Sequence, residues 1–116
     1  MRSLFAATIG LLLLGAACSS NKAGATAVVS TDSKCTPEKT TFDAGKITFE
    51  VRNEGKKVTE LYVYSDGDKI EGEVENVGPG TSRLVTVDLR GGKFELACKP
   101  GQTGRGIRTP ITVKGA

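Results

Sequence analysis

Lys46-Ile47-Thr48-Phe49-Glu50-Val51-Arg52 decides the fold. Apolar and polar residues alternate without a break, so Ile47, Phe49 and Val51 share one face and the charges share the other, as on a half-buried β-strand. Asn53-Glu54-Gly55-Lys56 reads as a turn. Val58 to Tyr64 follows as a second strand, with Leu61 and Val63 on one face and Tyr62 and Tyr64 on the other. Apolar residues on both faces place that strand inside a sheet. Further on, Asp66-Gly67-Asp68 turns the chain. Ile70, Gly72, Val74 and Asn76 then line one face, with Glu71, Glu73 and Glu75 opposite, and Val77-Gly78-Pro79-Gly80 ends the run. Arg83 to Leu89 is a strand, Arg90-Gly91-Gly92 a hairpin turn, and Phe94, Leu96 and Cys98 the inward face of the next strand. Lys99 to Arg108 is a Gly-rich loop, and Ile111 and Val113 belong to the last strand. In the other direction, Ala27-Val28-Val29 is the first. No segment after residue 26 repeats at helical spacing. About seven short strands punctuated by turns predict an all-β, Greek-key β-sandwich.

The beginning of the chain reads differently. Met1-Arg2 is basic, and Leu4 to Ala17 is apolar or small except for Thr8. This run is too short to span a bilayer and fits the hydrophobic region of a secretory signal. It ends in Leu13-Leu14-Gly15-Ala16-Ala17-Cys18, which resembles a bacterial lipobox, with Gly15 where an aliphatic residue is usual. The expected organisation is a lipoprotein signal peptide over 1–17, a lipidated Cys18 with a flexible tether over 18–26, and the β domain over 27–116. Each buried acyl methylene contributes about 0.8 kcal/mol, so two or more chains hold such a protein to the membrane. An ordinary cleaved signal with an incidental Cys18 is the alternative.

Composition narrows the chemistry. The 116 residues contain no His and no Trp, which excludes Ser-His-Asp and Cys-His hydrolases, His-ligated haem and the usual blue-copper ligand set. Sixteen Lys and Arg against thirteen Asp and Glu leave a net charge of +3, too small and too dispersed for a nucleic-acid binder. No nucleophile has a visible base and no Gly-rich loop joins a strand to a helix, so an enzyme is not expected.

Two features carry candidate chemistry. In an oxidising compartment, Cys35 and Cys98 form either a structural disulfide or a pair of thiolate metal ligands. Glu71, Glu73 and Glu75 lie about 7 Å apart in succession along one strand face; they are either a solvated stripe or hard oxygen donors. Glu60 stands in an otherwise apolar strand, where a carboxylate has to sit at an edge, be paired, or coordinate.

These residues together resemble a known family. Cys35, Ala44-Gly45-Lys46-Ile47-Thr48-Phe49, Asn53-Glu54-Gly55, Val58-Thr59-Glu60-Leu61-Tyr62, Gly72-Glu73-Val74-Glu75-Asn76-Val77-Gly78-Pro79-Gly80 and Ala97-Cys98-Lys99-Pro100-Gly101 are similar to the cupredoxin-like domain of the EfeO iron-uptake proteins, over about residues 27–114. The resemblance implies a cupredoxin-like sandwich outside the membrane that binds or delivers iron or copper, alongside an envelope metal-uptake protein. It implies Cys35, Glu60, Glu73, Glu75 and Cys98 as metal ligands, with sulfur favouring copper and carboxylates favouring iron. Gln102 stands where a cupredoxin carries a soft axial Met, and the helical domain that follows in full-length EfeO proteins is missing from this sequence, so an accessory role is expected. The rival expectation is a metal-free envelope binding module with a structural disulfide.

Overall fold

The Ile47-Phe49-Val51 face becomes the floor of a two-layer core. The computed structural model describes residues 24–115. The apolar run 4–17, Cys18 and the tether up to residue 23 lie outside them. The strands are β1 (Ala25–Ser30), β2 (Cys35–Pro37), β3 (Thr41–Asp43), β4 (Gly45–Asn53), β5 (Thr59–Ser65), β6 (Lys69–Val77), β7 (Ser82–Leu89), β8 (Gly92–Cys98) and β9 (Ile107–Lys114). One sheet has the order β2-β1-β4-β7 and the other β3-β9-β8-β5-β6. Most pairs are antiparallel, but β1 runs parallel to β4 and β3 parallel to β9.

The inward faces of the two sheets meet in a single cluster. Phe49, Val51, Leu61, Val63, Leu96 and Val28 are fully buried in it, each contributing about 1.5–3 kcal/mol of burial. Phe42 meets Phe49 edge to face, with ring centroids 5.5 Å apart. As the apolar residues on both its faces require, β5 is flanked on both sides, by β8 and β6.

The observed chain path departs from the sequence reading in several places. Among the described residues there are nine strands rather than about seven, because β2 and β3 are three-residue edge strands too short to show a period. β1 begins at Ala25, so Ala25 and Thr26 are strand rather than tether. Arg90-Gly91-Gly92 is not a hairpin turn. β7 belongs to the first sheet and β8 to the second, so this segment crosses the sandwich, and Gly91 lies against the Gly115 backbone, where a Cβ would sit 2.5 Å from its Cα.

β6 also departs from simple alternation. Its register against β5 slips twice, because Val63 and Tyr64 face Gly72 and Ile70, while Thr59 and Leu61 face Val77 and Val74. Each slip places one extra residue in β6, the signature of a β-bulge. Asn76 takes the left-handed conformation (φ 56°) at the second slip, which returns Val77 to the core. At the first slip Ile70 leaves the core face and is 52% exposed.

One buried polar group organises the end of the sandwich formed by the 53–58 and 78–81 loops. The Asn53 amide donates to the carbonyls of Lys57 and Val77, and its oxygen accepts from Gly55 N–H. Satisfying three backbone groups from one side chain lets the two loops pack without orphaned polar atoms.

Candidate functional site

Cys35 and Cys98 form a disulfide with Cα atoms 5.4 Å apart. Cys35 opens β2 in one sheet and Cys98 ends β8 in the other, and both point into the interlayer space. They are 6% and 0% exposed. The expectation that they supply thiolates to a metal is therefore corrected, since the facing sheets bring the two sulfurs to bonding distance and use them as a staple.

The carboxylates lie on the other side of the same sheet. Leu61 stands opposite Cys98 across the β5–β8 ladder, and both face the core. Glu60 and Tyr62, the neighbours of Leu61, therefore point outward, because side chains alternate along a strand. Sulfur and carboxylate oxygen do not converge on one spot, because β5 and β8 separate them.

Glu60, Glu73 and Glu75 each come near the Tyr62 side chain. Glu73 is the register partner of Tyr62. The Tyr62 hydroxyl donates to Glu75 Oε1 at 3.2 Å. Glu73 foremost, then partial burial and Glu60, push the Tyr62 phenol far above its ordinary pKa. Negative charge around a phenol opposes its ionisation. Glu60 is 7% exposed, and among the described residues no buried side-chain oxygen or nitrogen lacks a hydrogen-bond partner. The neighbour of Glu60 on this face is the Tyr62 phenol.

Glu71 does not join this group. The bulge turns it toward Arg90 (3.2 Å), and hydrogen bonding from Ser65, followed by the Arg90 guanidinium, holds its carboxyl below the usual range. Of the acidic triplet, the sheet thus sends Glu73 and Glu75 to Tyr62 and Glu71 elsewhere.

Cations border the tyrosines. Tyr62 and Tyr64 stack with centroids 5.4 Å apart. They lie beside Ala97, which pairs with Tyr62 and whose small side chain leaves the rings room. The Lys99 ammonium sits 3.9 Å from the Tyr62 ring centroid and donates to the Tyr64 hydroxyl at 2.7 Å. The Arg108 guanidinium covers the Tyr64 ring at 4.3 Å and pairs with Asp68 at 2.9 Å. Arg108 holds the Asp68 carboxyl low, and Asp68 raises Arg108 in return. Gln102 is engaged away from the sulfurs, its side-chain oxygen accepting from the bulged Asn76 N–H at 3.0 Å.

Sequence reasoning found the three acids but passed over Tyr62 and Lys99. Tyr62 had a usable signal, since it follows Glu60 by two residues on one strand face. Lys99 had none, because its place over the rings follows from the β5–β8 pairing. Among the described residues, no group of three Cys, Asp or Glu side chains is placed to hold a metal ion, and no helix is long and apolar enough to cross a membrane.

Known proteins agree with this architecture. A family profile for the cupredoxin-like domain matches residues 4–113. The iron uptake system component EfeO of Escherichia coli strain K12 is 34% identical over 71 residues, which cover 61% of this chain and 19% of that protein. The same component of Shigella flexneri gives equal figures. The chain thus spans about a fifth of the length of these curated relatives. Among solved structures, dithionite-reduced auracyanin from the photosynthetic bacterium Roseiflexus castenholzii superimposes with a TM-score of 0.59 at 16% identity, over 78% of this chain and 96% of that one. That likeness establishes the fold alone. The profile thus shows that the chain belongs to the cupredoxin-like domain family, and over the matched part it is similar to EfeO.

Proposed function

We propose that this protein is an extracytoplasmic accessory of iron uptake, anchored by lipid on Cys18, which receives ferric iron on the oxygen atoms of Glu60, Glu73 and Glu75 and hands it to a larger envelope component. The observation that carries the reading is the gathering of these three carboxylates at Tyr62 on an open sheet face, while both sulfurs are withdrawn into the core. Hard oxygen donors suit iron better than copper, and with sulfur bonded to sulfur and no His in the chain, the soft donors copper prefers are lacking. An open set of ligands also fits delivery, since a cargo that must be released is poorly served by a closed cage. The protein acts as a binder and not as a catalyst.

Calorimetric titration of the oxidised protein with ferric nitrilotriacetate tests this, with cupric ion as the comparison. Heat of binding with iron that disappears in Glu60→Gln/Glu73→Gln/Glu75→Gln is expected; no heat with iron removes the reading. Mass spectrometry of the membrane-extracted protein tests the anchor, through the mass of acyl chains on a mature N-terminal Cys18.

One observation favours a second reading. The closed Cys35–Cys98 disulfide is what a metal-free envelope module would carry, and the Tyr62-Tyr64-Lys99-Arg108 surface would then be its contact face. Unchanged Tyr62 and Tyr64 emission on addition of iron, together with silent calorimetry, selects that reading.

A further inference from the structure

Each sheet ends in two edge strands, and an edge strand leaves a row of backbone N–H and C=O groups without a ladder partner. Three of the four edges among the described residues are closed. β2 and β3 have three residues each. β6 is bent by two bulges, and side chains take up its outer backbone groups, with Arg83 donating to the Glu75 carbonyl at 2.6 Å and Gln102 accepting from the Asn76 N–H at 3.0 Å. β7 has none of these protections. It is eight residues long, pairs with β4 in unbroken register from Ser82 to Leu89, and is the last strand of its sheet.

The free groups of β7 can be named. The Asn53 N–H donates to the Thr81 carbonyl at 3.0 Å, so the odd-numbered residues of this segment aim their backbone groups at β4. Backbone direction alternates along a strand, which leaves the N–H and C=O of Leu84, Thr86 and Asp88 aimed away from the sheet. Among the described residues, nothing bonds to them. Leu84-Val85-Thr86-Val87 carries no charge and no Pro, the usual means of blunting an edge. Leu84 itself is 40% exposed.

We propose that β7 receives a second copy of this chain, the two β7 strands pairing antiparallel about a two-fold axis at Val85, so that two four-stranded sheets become one of eight. The strand is complementary to its own reverse. Opposed residues share a face, so Leu84 of each copy falls opposite Thr86 of the other, and Ser82 opposite Asp88. The exposed leucine is covered and no like charges are opposed. Reversal also brings the Arg83 end of each strand beside the Asp88 end of the other, so unlike charges adjoin. An axis at Thr86 would instead set Leu84 against Asp88. One pair of strands is smaller than the roughly 800 Å² per partner of a stable complex, so the dimer forms at high concentration and separates on dilution. The interface lies apart from the carboxylates of β5 and β6 and does not depend on the iron reading.

The test uses the mature protein with its disulfide closed. Sedimentation velocity over a series of concentrations should show monomer giving way to dimer. Amide hydrogen exchange, read residue by residue by NMR, should slow at Leu84, Thr86 and Asp88 as concentration rises. Both effects should be lost in Leu84→Lys, which sets like charges on either side of the axis, and in Thr86→Pro, which removes an outward N–H without breaking a bond to β4. Both should be kept in Thr112→Lys, an exposed position of β9. Circular dichroism shows that each variant is folded; should Thr86→Pro fail to fold, Leu84→Lys, altered at an exposed side chain, decides the matter. Monomer at every concentration overturns the proposal and leaves the edge to an extended segment of another protein. A dimer that persists in Leu84→Lys, or that forms without slowing exchange at these three amides, overturns it as well.

Discussion

Replacing both half-cystines, Cys35→Ala with Cys98→Ala, isolates what the staple does. The bridged residues are 63 apart in sequence and lie in different sheets. On the chain-entropy account, a closed loop of this length limits the unfolded chain by about 4 kcal/mol at room temperature. A domain of this size has a total stability of roughly 5–15 kcal/mol, so about a quarter or more of it is at stake. A change of 1 kcal/mol moves the midpoint of so small a domain by about 4–8 °C, which places the expected fall in Tm at about 15–30 °C. Urea unfolding of wild type and double variant, followed by circular dichroism, measures the difference directly, and wild type unfolded with a reducing agent present should approach the variant. Cys35 and Cys98 are replaced together because a single change leaves a buried thiol whose packing confuses the comparison. A loss below about 1 kcal/mol would refute the assignment of the disulfide as a main brace, and would mean that β2 is held by its ladder to β1 and by the Thr109 hydroxyl on the Cys35 carbonyl.

Asn53→Ala removes a side chain that serves three backbone groups and leaves the buried Val77 carbonyl without that partner; a loss of about 1–3 kcal/mol in urea unfolding is expected, and an unchanged midpoint would show that the loops do not depend on it. Gly72→Ala drives a methyl into the Val87 side chain between the sheets, with a loss of about 1–3 kcal/mol expected from the same measurement. The carboxyls of Asp68 and Glu71 have folded-state pKa values below their ordinary ones. The unfolded chain therefore takes up protons first, and the stability these groups confer is present above about pH 4 and lost as pH falls through the lower folded values. Tm recorded against pH should decline across that acid range and decline less in Asp68→Asn; identical profiles would count against the Arg108 pair as the cause.

Much of the fold can be read from the chain because burial on one face imposes a period of two. Ile47, Phe49 and Val51, and again Leu61 and Val63, alternate in sequence and are buried in the structure. What breaks the period is invisible to it. Asn76 adopts a left-handed backbone that no neighbouring residue announces, and the result is that Val74 and Val77, three residues apart, both enter the core. The path at Arg90–Gly92 is misleading for a related reason. Its glycines signal a tight reversal but not whether the next strand pairs with the last or crosses to the other sheet. At the candidate site, the acids are visible as residues, yet their sorting depends on the bulge that sends Glu71 to Arg90 and leaves Glu73 and Glu75 at Tyr62.

The division of β5 into two faces explains how this small domain combines an oxidised staple with an acidic surface. Leu61 and Val63 build the wall behind which Cys98 is sealed, while Glu60 and Tyr62, one residue away in each direction from Leu61, form the outer surface. The residue after Cys98 is tied to the backbone beside the carboxylates, since the Lys99 N–H donates to the Glu60 carbonyl at 2.9 Å. The outer residues Tyr62, Glu73 and Glu75 can therefore be substituted without disturbing the residues that hold the sheets together. A site that mixed thiolate with carboxylate would have to give up one of these functions whenever it performed the other, and alternation along a single strand removes that conflict.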